Sequence, residues 1–133
     1  MSLIANTPKF LRTVLLIDAV TCVATGLVMT LDAPLLAGLT QLPPELLRSA
    51  GLSLFPVAAF IAFVATRAEL PRTGVWLVIL GNAAWVAASL WVIFGGAVSP
   101  NTFGYAFVAF QAFAVAVLAE LEFAGVRKLG ATA

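Results

Sequence analysis

Asp18, Glu120 and Asn82 carry the chemistry that fits least well with its surroundings. Asp18 lies in "VLLIDAVTCVA", Asn82 in "VILGNAAWVAASLW" and Glu120 in "FVAFQAFAVAVLAELE". A carboxylate at the centre of an apolar membrane helix costs about 2.5–3.5 kcal/mol on insertion scales, so it must be protonated, paired or wetted. Two carboxyls with an amide between them have several uses. They share or relay a proton, hold a cation, or bond the polar head of a ligand. Thr21 and Trp85 are placed to support such a cluster. Equally open is a structural role, in which each carboxyl bonds a nearby Thr or Asn and only orients the helices.

The chemistry that is missing narrows the field. The 133 residues include no histidine, which removes the usual general base and the commonest metal and haem ligand. Cys22 is the single cysteine, so neither an intramolecular disulfide nor a Cys-built metal site is expected. Cys22 itself reads as a small core residue. A net charge of +1 argues against nucleic acid as a partner. No cofactor and no metal are expected.

The elements that must position these residues follow from composition. Hydrophobic residues make up 62% of the chain and charged ones 10%, with a mean hydropathy of +1.09. Soluble domains carry about 25% charged residues, because their surfaces face water. An integral membrane protein is expected, as one domain covering residues 1–133. A spanning helix needs roughly 20 apolar residues. Four stretches qualify, at residues 10–31, 44–66, 73–95 and 102–126. Pro34, Pro43 and Pro44 punctuate the first gap, Pro71 the second, and Gly95, Gly96, Pro100 and Asn101 the third. The first gap is still apolar, and residues 34–40 read as a short interfacial helix. The first span is taken as a retained helix and not a cleaved signal, since Asp18 interrupts it and no A-x-A site follows.

Charge asymmetry orients the spans. Lys9, Arg12, Arg67, Arg72, Arg127 and Lys128 fall on one side, and only Arg48, with Glu45 as its i−3 neighbour, falls on the other. The positive-inside rule then puts both termini in the cytoplasm. The fold expected is an all-α, four-transmembrane-helix bundle, N-in and C-in, in a bacterial inner membrane.

Depth and helical face place the polar groups. At ~1.5 Å per residue, Asp18 lies ~9 Å from Arg12 and Glu120 ~10 Å from Arg127, at one level. Asn82 is deeper, ~15 Å from Arg72. Glu120 shares a face with Ala109, Ala112, Phe113 and Ala116, whose small members suggest a face turned into the bundle. Glu122, nearer the end, reads as an interfacial charge. Gln111 then points the opposite way from Glu120, and with Phe107 and Phe110 it marks a face for a second subunit or another membrane protein. Gly74, Gly81, Ala88 and Gly95 recur every seven residues and suggest close helix packing. Ser49, Ser53, Pro56, Phe60 and Phe63 form a further stripe, with Pro56 expected to kink its helix. Trp76 and Trp91 lie near opposite ends of their span, as belt tryptophans do.

The segments "PPELLRSAGLSLFPVAAF", "VILGNAAWVAASLW" and "FVAFQAFAVAVLAELE" resemble a group of small four-helix bacterial inner-membrane proteins with no assigned activity. That resemblance implies the topology and adds nothing on mechanism. Asp18 is also similar in position to the first-helix acid of small multidrug-resistance transporters. That acid is a glutamate, however, in tryptophan- and glycine-containing surroundings this chain lacks, and many of those proteins show little Lys/Arg bias. Proton-coupled transport therefore enters as analogy alone.

Three functions are expected, in this order. The first is a non-enzymatic membrane protein, either an accessory subunit or a binder of a hydrophobic ligand or lipid. The second is a proton- or cation-coupled transporter acting as a dimer through its intramembrane carboxylates. The third is a lipid-modifying enzyme using paired carboxyls for acid–base chemistry. Membrane lipids, a homo-oligomer or a larger membrane complex are the expected partners.

Overall fold

The structure, a computed structural model, describes residues 7–132, the last three by backbone alone. It is all-α, with five helices: α1 (Thr7–Leu31), α2 (Ala33–Thr40), α3 (Pro44–Ala65), α4 (Arg72–Phe94) and α5 (Thr102–Thr132). All except α2 are long and apolar enough to cross a membrane. Their bounds lie close to the expected spans, apart from the far end of α5. There hydropathy falls at Arg127 and Lys128, yet the backbone stays helical and Leu129 still packs against the core. Loss of apolarity ends a span without ending a helix.

A spacing of alternating three and four residues explains why these helices bundle. On α1 it runs through Leu11, Leu15, Asp18, Cys22, Thr25 and Met29, all buried or half-buried. Leu47, Gly51, Leu54, Ala58, Ile61 and Ala65 repeat it on α3, and Val75, Val78, Asn82, Trp85, Ser89 and Val92 on α4. On α5 the seam is Gly104, Val108, Gln111, Val115, Leu118, Glu122, Gly125 and Leu129. Such a 3.5-residue repeat keeps one face toward neighbouring helices along its whole length. Every seam except that of α3 carries polar side chains, so the bundle centre is where they meet.

The outer surface is the reverse. Phe94 is 80% exposed, Phe110 75% and Phe113 69%, while Asp18 and Glu122 are at most 1% exposed. The stripe from Ser49 to Phe63 faces outward with Pro56 in it, and α3 continues through that proline.

Specific contacts fix the pairing. Gly26 and Gly51 let α1 and α3 approach closely: a Cβ on Gly26 would lie 3.0 Å from the Gly51 carbonyl oxygen. Arg12 donates to the carbonyls of Ala65 and Arg67, the latter at 2.7 Å, covering groups that the end of α3 leaves open. Asn101 joins α2 to α5. Its Oδ1 accepts the Gly104 N–H at 2.7 Å, a helix N-cap, while its Nδ2 donates to Leu39 O at 2.9 Å. Of the glycines in the expected small-residue repeat, Gly74 makes a close helix contact, against Val64 of α3. Gly81 faces open space and Gly95 ends α4.

The chain runs up and down. The starts of α1 and α4 therefore share one end of the bundle with the finishes of α3 and α5. That end carries Lys9, Arg12, Arg67, Arg72, Arg127 and Lys128. Arg48 stands at the other end, paired with Glu45 at 3.0 Å.

Candidate functional site

Asn82 is the hub of the buried polar cluster. Its Nδ2 donates one hydrogen bond to Asp18 Oδ2 and one to Glu122 Oε1, both 2.8 Å long. The two carboxyl oxygens are therefore no more than twice that distance apart. The Cys22 thiol donates to Asp18 Oδ1 at 3.7 Å, and Glu122 Oε2 is buried with no partner. Three seams supply these groups, and among the described residues no cation joins them. Arg12, the basic residue nearest Asp18 along α1, is turned to the end of α3.

The expected pairing of Asp18 with Glu120 is corrected by this geometry. Glu120 is exposed on the outer face of α5, and Glu122 takes the place foreseen for it. The two lie about 200° apart at 100° per residue, so choosing one face excluded the other. Glu122 is accordingly no interfacial charge; it is wholly buried. Asp18 and Asn82 do meet. The Thr21 hydroxyl is spent on the backbone oxygen of Asp18 at 2.8 Å and makes no bond to its carboxylate.

Gln111 is the second correction. It is half-buried on the inner face, eleven residues or three turns from Glu122. The Trp85 indole N–H donates to Gln111 Oε1 at 2.5 Å. Gln111 Nε2 in turn donates to Ser89 Oγ at 2.9 Å and to Val108 O at 2.8 Å. Its polar atoms are thus used inside the bundle and present no outer partner face. Phe107 also turns inward, half-buried against the core, whereas Phe110 stays exposed.

Two cavities adjoin these clusters. The larger, of about 300 Å³, is lined by Asp18, Asn82 and Thr25 on its polar side, and by Leu54, Val57, Ala114 and Leu118 among its apolar walls. Val57, Gly81 and Phe110 line it and are exposed, so it is open to the outside. The smaller, of about 120 Å³, is lined by Met29, Leu47, Ala88 and Phe107 among others. Trp85 and Gln111 line both, so their hydrogen bond is the common wall.

This arrangement suits binding. Apolar walls with a few convergent polar groups are the usual make-up of a small-molecule site, and about 300 Å³ is at the lower end of such pockets. Among the described residues no group of three His, Cys, Asp or Glu is placed to hold a metal ion. The chain matches no protein-family model, no curated protein and no solved structure.

Proposed function

We propose that the chain lies in the inner membrane, its four long helices spanning the bilayer, and holds a hydrophobic ligand in the larger cavity. The observation that carries this reading is the cavity itself: an apolar chamber at mid-bundle with Asp18 and Asn82 on one wall. The role proposed is binding, with no reaction attached.

Membrane placement draws on the inverted surface. Phenylalanines cover the outside while Asp18, Asn82 and Glu122 are buried, the reverse of what water selects. The basic end then faces the cytoplasm with both termini. The short helix α2 lies at the opposite interface. A cysteine placed at Glu69, in a Cys22→Ala background, is expected to resist an impermeant maleimide in intact cells and to react once the inner face is opened. Labelling in intact cells overturns the orientation.

Native mass spectrometry of the protein released gently from its own membrane tests the function. Wild type is expected to carry a small hydrophobic molecule, and Gly81→Phe to have lost it. Gly81 lines the chamber and nothing lies within 4 Å of the position its Cβ would take, so a large side chain there starts in the opening without a clash at its root. A bare wild-type protein defeats the reading.

An accessory-subunit role has one observation of its own. Glu120 is exposed within the apolar length of α5, where contact with a second protein would cover its charge. A larger protein retained by wild type and lost with Glu120→Ala supports that role; retention by both defeats it.

A further inference from the structure

We propose that the ligand is a single-chain amphiphile with a protonated primary amine as its head. The head is seated at Asp18 and Asn82, and the chain passes the Trp85–Gln111 bond into the smaller cavity. This rests on the reading of the larger cavity as a ligand site.

The head follows from what the polar wall offers. Asp18 lines the chamber and Glu122 stands behind it, two buried carboxyls held by one neutral amide, and among the described residues no lysine or arginine bonds to them. Asn82 spends its Nδ2 on both, which leaves its Oδ1, an acceptor, unengaged by any described residue. The thiol of Cys22 and the hydroxyl of Thr21 are already donated to Asp18. The wall therefore offers the Asp18 carboxyl and Asn82 Oδ1 as acceptors and, among the described residues, the Thr25 hydroxyl as its one uncommitted donor. A group that brings several N–H donors and a positive charge completes it. A carboxylate or phosphate head would meet like charge and find almost nothing to donate to it.

The chain follows from the common wall. Asp18 lines only the larger cavity, and Ala88 only the smaller, with Trp85 and Gln111 lining both. A head fixed at Asp18 leaves its chain running along Leu54 and Ala114 toward the indole. The indole and amide are joined by a side-chain hydrogen bond, so a rotamer change opens the way and no backbone need move. Met29, Leu47 and Phe107 then receive the chain end. Methionine is well suited to this, being flexible and adaptable in packing.

Trp85 is also the reporter. In a Trp76→Phe, Trp91→Phe protein in nanodiscs, dodecylamine brominated at its chain end is expected to quench the remaining tryptophan, Trp85. Asp18→Asn should weaken that binding about tenfold or more, because a bond to a charged partner is lost. Butylamine is the short probe, its chain being shorter than the six residues, ~9 Å, from Asn82 to Ala88 along α4. Ala88→Phe, which fills the second chamber, should weaken dodecylamine binding and leave that of butylamine unchanged. Dodecanoic acid brominated at the same chain position should not quench. Equal quenching by the acid, or no effect of Asp18→Asn, overturns the amine head while the cavity still stands as a ligand site. Equal effects of Ala88→Phe on both amines overturn the path past Trp85. Absence of quenching by every probe, with a bare protein in native mass spectra, brings down the cavity reading as well.

Discussion

Asn82→Leu is expected to cost about 2–5 kcal/mol of stability, because two buried carboxyl oxygens lose their donor at about 1–3 kcal/mol each. Leucine has the same branching and the same number of side-chain heavy atoms, so the change is chiefly the loss of the amide's polar groups. Both 2.8 Å bonds from Nδ2 disappear together, leaving Asp18 Oδ2 and Glu122 Oε1 without their donor. Glu122 Oε2 has no hydrogen-bond partner among the described residues, so the Asn82 amide is the donor that carboxyl depends on. Thermal unfolding in a mild detergent is the measurement, read by loss of helical circular dichroism. A triple variant, Asp18→Leu, Asn82→Leu and Glu122→Leu, should recover much of the loss, since an all-apolar replacement removes the desolvation penalty with the charges. If Asn82→Leu melts with wild type, the three side chains do not form the cluster described.

The second large effect is steric. Gly51→Val is expected to destabilise by about 1–3 kcal/mol or more, as overpacked cores do. A Cβ there would lie 2.7 Å from Thr30 Oγ1 and 2.9 Å from Met29 Cβ. The Thr30 hydroxyl can swing away, but Met29 Cβ is fixed to the backbone of α1. Thr30→Ala should therefore rescue Gly51→Val only in part. The two helices would otherwise have to separate, pulling Gly26 off the Gly51 carbonyl. Melting temperatures of the single and double variants decide it; full rescue by Thr30→Ala would show that only the hydroxyl stood in the way.

Helices were the most legible part of the chain. Long, mainly apolar runs bounded by prolines, glycines and Asn101 mark α1, α3, α4 and the start of α5, and Pro34 within "DAPLLAGL" marks α2. The choice between Glu120 and Glu122 was legible too, but in a different signal from the one followed. Alanines at 109, 112 and 116 suggest an inward face, yet of these only Ala112 is buried, and Ala109 is exposed as alanine commonly is on an apolar helix. The three-and-four spacing from Gly104 to Leu129 passes through both Gln111 and Glu122. Placing these two on one seam would have moved Glu120 outward and removed the second polar face. Asn101 shows a further limit. Its turn-forming character is local, whereas its bond to Leu39 joins residues far apart in sequence. The cavities were not legible at all, because a void is a property of how seams diverge and not of any one of them.

Val57, Gly81 and Phe110 each lie well inside their helices, far from the turns at either end of the bundle. The opening they bound is thus on the flank. In the proposed placement that flank faces acyl chains, so a guest arrives from the lipid and not from water. Its occupancy would then follow mole fraction within the bilayer, a two-dimensional solvent that concentrates whatever partitions into it. Weak intrinsic affinity would suffice to keep the chamber filled, and diluting the protein with lipid would empty it even at constant aqueous concentration.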